Sequence, residues 1–172
     1  DELHNMSRRL YAIHEKEKSI QMEMTQILPQ IIGLKYESLN ESLKEAIDEM
    51  SHLQDRCIQE TNQVMRELKT TYRITRLESY STVLNQMNQG KAESRVQALG
   101  DTLQEMRVGQ VIKQSKDLQI DFELWSKELL PEPPKAKSAG GGSSGGAQQD
   151  QSLLVELIRV IMEEQDIYRE TQ

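Results

Sequence analysis

The chain has 172 residues, of which 28% are charged, 36% are hydrophobic and only 4% are aromatic. Strong helix formers such as Leu, Glu, Gln, Lys and Met are frequent, so we expect an all-α protein. The formal net charge of -7 argues against generic binding to nucleic acid or to an anionic membrane, since both require an excess of Lys and Arg.

The first predicted helix covers about residues 2–28. Its apolar residues recur at alternating steps of three and four, as in the seam of a coiled coil, and Glu17 is the one polar residue in that seam. Pro29, which has no backbone N–H, and the conformationally free Gly33 predict the end of this helix. The seam consists of Leu3, Met6, Leu10, Ile13, Glu17, Ile20, Met24 and Ile27.

Two longer helices are predicted next, at about residues 36–88 and 91–130, with a turn at Gly90 between them. The apolar stripe of the second helix slips after Val64, which is typical of a stutter that locally unwinds a supercoil. The third helix changes register near Gly109, where we expect a bend. The two helices would form a long antiparallel hairpin that reverses at Gly90.

Residues 131–149 differ sharply in composition from the rest of the chain. They begin with three prolines in four residues, which exclude an α-helix, and continue into a Gly/Ser-rich stretch that holds five of the nine glycines. Such a composition behaves as flexible coil. Because the chain is otherwise sparing of glycine, we interpret this segment as an engineered linker that joins two proteins, or two distant parts of one.

Residues 150–170 are predicted to form a short, acidic, amphipathic helix. A helix of this length is marginal by itself, so we expect it to bind in a hydrophobic groove formed by residues 1–130. Its expected anchors are Leu154, Leu157, Ile158, Ile161 and Tyr168. The expected groove lies on the third helix, next to the linker, and is lined by Leu118, Phe122, Trp125 and Leu129. Docking would complete a four-helix bundle at one end, with a thinner hairpin projecting beyond it.

A row of cations lies on the predicted second helix. Its members are three, four and three residues apart and therefore share one face: Arg66, Lys69, Arg73 and Arg76. The row is either a solvated surface paired with nearby acids, or a patch for phosphate, for an acidic tubulin or actin surface, or for an acidic peptide. A hairpin that reverses at Gly90 would place the row at the opposite end from the linker, which disfavours pairing with residues 150–170.

Residues that could carry chemistry match no complete motif. Glu49 and His52 have the Glu-x-x-His spacing of carboxylate-bridged metal bundles, but the second such pair and the further glutamates are missing. His14 and Cys57 offer a base and a nucleophile by residue type alone, without an oxyanion loop. We therefore expect no catalytic residue, no metal ligand and no cofactor.

The sequence favours a non-enzymatic helical scaffold or adaptor subunit that binds an amphipathic helix of a partner protein. Two alternatives stay open: a membrane-trafficking tether or SNARE-like bundle, and a cytoskeletal or chromosome-associated coiled-coil subunit. A homo-oligomer through the coiled coil also stays open. No apolar run approaches the roughly 20 residues that span a bilayer, so no membrane span is expected. A single cysteine, Cys57, favours a cytoplasmic or nuclear location, with association with the cytoskeleton left open.

Overall fold

The computed structural model describes residues 2–130. They form five α-helices and a short 3-10 turn at Tyr36–Ser38. The helices are α1 (Glu2–Ile31), α2 (Glu41–Thr75), α3 (Glu78–Gln89), α4 (Ala92–Gln104) and α5 (Val108–Glu128). The prediction of an all-α helical bundle is confirmed for this part of the chain. The predicted linker at 131–149 and the predicted helix at 150–170 lie outside the described residues.

Helix α1 continues through Pro29 and ends at Ile31, beyond its predicted end. A proline this close to the end of a helix removes only one backbone donor. Burial of Ile27 and Ile31, which are 9% and 1% exposed, favours one further turn. Gly33 then adopts a φ of 76°, the left-handed conformation with which many helices end.

The predicted helix at 36–88 is broken at Arg76, where the chain reverses. Arg76 has a φ of 58°, and its backbone N–H donates to the carbonyl oxygen of Tyr72 at 2.9 Å. The turn contains no Gly, Pro or Asn. The sign of the turn in the sequence is the slip in the apolar stripe after Val64. The helix also begins later than predicted, because Asn40 caps α2 by accepting a hydrogen bond from the N–H of Leu43 at 2.9 Å.

The predicted turn at Gly90 is present, but the chain keeps its direction through it. In the middle of α2, the side-chain amide of Gln54 donates to the carbonyl oxygen of Val96 in α4 at 2.8 Å. Near the end of α4, Leu103 lines the same cavity as Ile47 from the beginning of α2. Helices α3 and α4 therefore follow each other along α2, antiparallel to it, and the expected reversal at Gly90 is corrected to a reversal at Arg76.

The predicted helix at 91–130 is also broken, and the chain reverses for the third time at the break, after the reversals between α1 and α2 and at Arg76. Met106 has a φ of 56° and separates α4 from α5. The expected bend at Gly109 falls in the first turn of α5, just after the actual break. An ion pair between Arg95 in α4 and Asp121 in α5 fixes the antiparallel pairing of these two helices.

Residues 2–130 thus form an up-down-up-down four-helix bundle, in which α3 and α4 together occupy one of the four positions. Helix α1 packs against α2 and α5, and the α3–α4 pair packs against the same two helices from the other side. Helices α1 and α5 are antiparallel, since the Ser7 hydroxyl donates to the carbonyl oxygen of Ser126 at 2.7 Å. Residues 2–130 fill all four positions of this bundle by themselves. The expected docking of residues 150–170 lies outside the described residues and stays a prediction.

The core follows the predicted seam of α1. The seam residues are buried except for Leu3, which is partly exposed. Glu17, the polar member of the seam, has 0% of its surface exposed. The coiled-coil periodicity of α1 therefore predicted its buried face correctly, including the position that carries a carboxyl group.

Candidate partner-binding surface

The predicted groove on α5 belongs to the core of the bundle. Its residues Leu118, Phe122, Trp125 and Leu129 are between 0% and 5% exposed. The rings of Phe122 and Trp125 pack edge to face with their centroids 5.1 Å apart, and Trp125 also lies against Gly90. A docking helix would have to displace these contacts. These four side chains therefore stabilise the bundle itself, and an accessible surface for a partner has to be formed by exposed residues.

The predicted anchors of the partner helix cannot be placed on any surface. They are Leu154, Leu157, Ile158, Ile161 and Tyr168, and all of them lie outside the described residues. Their role as anchors therefore stays a prediction.

The predicted row of cations is exposed: three of its members lie on α2, and Arg76 lies in the left-handed turn that follows the helix. Leu68 and Thr71, which alternate with them along the helix, are 0% and 7% exposed, so the row lies on the outward face of α2. Within residues 2–130, no member of the row forms an ion pair with an acidic side chain. The row consists of Arg66, Lys69, Arg73 and Arg76, all of which are exposed.

Two large apolar side chains project beside this row where α2 turns into α3. Ile74 is 78% exposed and Leu77 is 48% exposed. The guanidinium carbon of Arg76 lies 5.9 Å from the centre of the Tyr72 ring, within the range of a cation–π contact. The hydroxyl oxygen of Thr75 accepts a hydrogen bond from the N–H of Leu77 at 3.3 Å. We call this surface the basic corner; it comprises Arg66, Lys69, Arg73, Ile74, Arg76 and Leu77.

The basic corner combines positive charge with exposed apolar surface. Single exposed apolar residues are common on proteins. Here Ile74 and Leu77 are both exposed and stand next to Arg73 and Arg76 in the sequence, which form no ion pair within the described residues; this combination suits a ligand with both apolar and negatively charged groups. Sequence analysis did not single out these two residues, because it placed both in the middle of an unbroken helix.

The basic corner lies at the end of the bundle where α5 also ends. Thr71, near the end of α2, donates to a carboxylate oxygen of Glu2 at 3.1 Å, which places the start of α1 there. Ser7 in the same part of α1 contacts Ser126 near the end of α5. The row was expected at the end of the bundle opposite to the end of the third predicted helix, because a reversal at Gly90 was assumed. The reversal at Arg76 corrects this expectation.

Glu49 and His52 are both exposed and line an open cleft between α1 and α2, together with Glu23. Partial burial and the charge of Glu49 raise the pKa of Glu23. Across residues 2–130, no group of three or more His, Cys, Asp and Glu side chains could hold a metal ion.

His14 and Cys57 have different surroundings in the core. The Nδ1 atom of His14 lies 2.9 Å from the carbonyl oxygen of Gln119, to which it hydrogen-bonds. Cys57 is fully buried, and burial together with the charge of Glu17 raises the pKa of its thiol. A buried thiol that keeps its proton is a poor nucleophile.

Comparisons of this chain with protein-family models, with curated proteins and with solved structures found no match. In the part of the chain that the structure describes, no helix is both long enough and apolar enough to cross a membrane.

Proposed function

We propose that this chain is a non-enzymatic helical scaffold or adaptor subunit that binds an amphipathic helix of a partner protein at the basic corner. The observation that carries the proposal is the exposure of Ile74 and Leu77, at 78% and 48%, among cations that are unpaired within the described residues. Burying apolar side chains of a partner on these two residues would supply affinity, and the cations would orient the partner.

The packing of α2 presents the corner on a rigid element. Leu68 anchors the last turns of α2 in the core with 0% exposure. Arg9 of α1 forms ion pairs with both Glu60 and Glu67 of α2, and these pairs link the two helices at positions that precede the corner along α2. A surface held in place in this way loses little conformational entropy when a partner binds.

The chemistry of the corner favours an acidic amphipathic helix. Residues 150–170 have this chemistry in their sequence, since Leu157 and Ile161 are four residues apart and are accompanied by several acidic residues. The acidic residues are Glu156, Glu163, Glu164, Asp166 and Glu170. A peptide with this sequence is therefore a suitable probe for the proposed partner helix.

The decisive experiment titrates a labelled peptide of residues 150–172 into a chain that ends at residue 137, with fluorescence anisotropy as the readout. We expect saturable binding with a Kd on the order of micromolar. The double change Arg73→Glu and Arg76→Glu, or the change Ile74→Asp, should weaken binding about tenfold or more. The peptide change Leu157→Asp should have a similar effect.

The matched control is Lys113→Glu, which alters charge at an exposed position of α5 away from the corner. It should leave peptide binding unchanged, and circular dichroism should show that every variant is folded. Equal binding by the control and by the corner variants would exclude the corner as the site. Light scattering on the same samples would also reveal a homo-oligomer.

The exposed row of cations favours a second candidate function, that of a cytoskeletal subunit bound to an acidic filament surface. Co-sedimentation with microtubules tests it. Binding that is lost on changing Arg73 and Arg76 to Glu, but not on changing Ile74 to Asp, would support the filament function over the helix-binding one. Under either function we expect a cytoplasmic or nuclear location, on the grounds of the single cysteine.

A further inference from the structure

Glu17 places a carboxyl group in the middle of the bundle core. It occupies a seam position between Ile13 and Ile20, and all three residues are 0% exposed. Across the interface with α2, its carboxyl group lies beside the side chains of Gln54 and Cys57, which both act on its pKa. Burial of a carboxyl group among apolar residues is unfavourable unless its charge or its hydrogen bonds are satisfied.

The hydrogen-bonding groups around Glu17 are incompletely satisfied. Within the described residues, neither carboxyl oxygen of Glu17 accepts a hydrogen bond of good geometry, although Gln54 and Cys57 lie near enough to lower its pKa against the larger effect of burial, and the side-chain oxygen of Gln54 also lacks a partner. The side-chain nitrogen of Gln54 already donates to the carbonyl oxygen of Val96 at 2.8 Å. An ionised carboxylate and an amide oxygen can only accept, whereas a protonated carboxyl group has one O–H to donate. A proton on Glu17 would supply the missing donor.

The surroundings of Glu17 do not compensate a negative charge. The neighbours from α2 are Gln54, which is neutral, and Cys57, whose pKa is raised by burial and by the charge of Glu17 itself. From α5, the side-chain amide of Gln119 lies 3.5 Å from the backbone oxygen of Glu17. Within residues 2–130, Glu17 forms no ion pair, and Lys16 on its own helix acts on the Cys57 thiol.

We propose that Glu17 is a proton-dependent clamp in the bundle. In the protonated state its O–H donates to the side-chain oxygen of Gln54, which joins α1 to α2 and, through the bond from Gln54 to Val96, to α4. Loss of the proton leaves an unpaired charge in the core, breaks this chain of hydrogen bonds and loosens the packing of α1. The proposal does not depend on the proposed function, because it concerns a buried layer away from the basic corner.

The direction of the pH dependence follows from the pKa of Glu17. Burial raises this pKa from its ordinary value of 4.5 to about 8, against smaller lowering effects of Gln54 and Cys57. In the unfolded chain the carboxyl group ionises near 4.5, so the folded state binds more protons between the two values. The stability contributed by the proton is therefore fully present below about 4.5 and is lost as the pH rises towards about 8.

Thermal unfolding of the full chain as a function of pH tests the clamp. For the wild type we expect Tm to fall by about 5–10 °C between pH 6 and pH 8. Glu17→Gln keeps the shape of the side chain and can donate an N–H to Gln54 at every pH. The part of the fall in Tm that is due to Glu17 should therefore disappear in this variant. All other ionisable groups are the same in both proteins, and the comparison therefore isolates Glu17. A constant wild-type Tm, or the same fall in Glu17→Gln, would overturn the proposal.

A second measurement decides the question even if Glu17→Gln does not fold. Infrared spectroscopy of the folded wild type at neutral pH should show the band of one protonated carboxyl group, because exposed Asp and Glu side chains are ionised there. The band should disappear as the pH is raised above the pKa of Glu17. If no protonated carboxyl group is present at neutral pH, Glu17 cannot donate to Gln54 and the clamp does not exist.

Discussion

The indole ring of Trp125 lies directly against Gly90, where a Cβ atom would come within 3.0 Å of the ring carbon Cζ2. Gly90 has a φ of -75°, which any residue can adopt, so its backbone conformation does not require glycine. The close approach of Trp125 requires it instead. The junction between α3 and α4 is therefore packed against α5.

We expect Gly90→Ala to lower the free energy of unfolding by about 1–3 kcal/mol, because the added methyl group would displace the indole ring or strain the backbone. Gly109→Ala is the matched control, since a Cβ at Gly109 would have no atom within 4 Å. Alanine in this first turn of α5 should leave stability unchanged or raise it by up to about 1 kcal/mol. Urea unfolding followed by circular dichroism measures both, and equal effects would contradict the packing argument.

Lys91 has a φ of 52°, a left-handed conformation that side chains other than glycine adopt only with strain. We expect Lys91→Gly to raise the free energy of unfolding by about 0.5–1.5 kcal/mol, since Lys91 is also exposed and loses little packing. Lys113→Gly, at an exposed position inside α5, should lower it by about 1 kcal/mol. If both variants raised, or both lowered, the free energy of unfolding, the backbone conformation of Lys91 would not be the cause of its effect. Guanidinium unfolding monitored by fluorescence suits both variants.

Arg9 pairs with Glu60 and Glu67, and its side chain is 20% exposed. We expect Arg9→Met to lower the free energy of unfolding by about 1 kcal/mol, with a smaller loss at high salt, because the partly exposed pairs are screened. Arg8→Met, at the neighbouring exposed position, is the control and should have little effect. If both variants unfold at the same denaturant concentration as the wild type, the ion pairs do not stabilise the α1–α2 interface.

The same ion pairs predict a loss of stability in acid. Burial alone would raise the pKa of Glu67, but hydrogen bonds from Gln63 and Arg9 lower it below its ordinary value of 4.5. A lowered pKa means that the stabilisation is present above 4.5 and is lost as the pH falls through the pKa of the folded state. Thermal unfolding between pH 3 and pH 5 should show a smaller loss for Arg9→Met than for the wild type. An identical loss would assign the acid sensitivity to other carboxylates.

Binding of the acidic peptide to the basic corner should depend on salt. Raising NaCl from about 50 to 500 mM should weaken the interaction about tenfold, because the cations of the corner are exposed and are screened by salt. The variant with Arg73 and Arg76 both changed to Glu should lose most of this dependence. Fluorescence anisotropy at several salt concentrations gives the slope. A slope that is the same for both proteins would mean that these two arginines do not contact the peptide.

Periodicity in the sequence determined which faces of the helices are buried. The heptad seam of α1 predicted the buried positions of that helix, because an apolar stripe has to be covered in any bundle. It also predicted that Glu17 would lie on the buried side. The row from Arg66 to Arg76 was predicted to share one face of the second helix for the same geometric reason; Arg66, Lys69 and Arg73 are exposed on α2, whereas Arg76 is exposed in the left-handed turn that follows it.

Tertiary packing decided where the chain reverses and which element covers each stripe. The turns at Arg76 and Met106 use left-handed residues that are neither Gly nor Asn, so no typical turn residue marks them; the sequence shows a shift of the apolar stripe near each, and packing of the flanking helices holds them there. An apolar stripe such as that of Phe122 and Trp125 has to be buried, but its sequence does not specify the neighbour. In the folded chain the bundle itself buries the stripe, and this leaves the basic corner exposed at the end of α2.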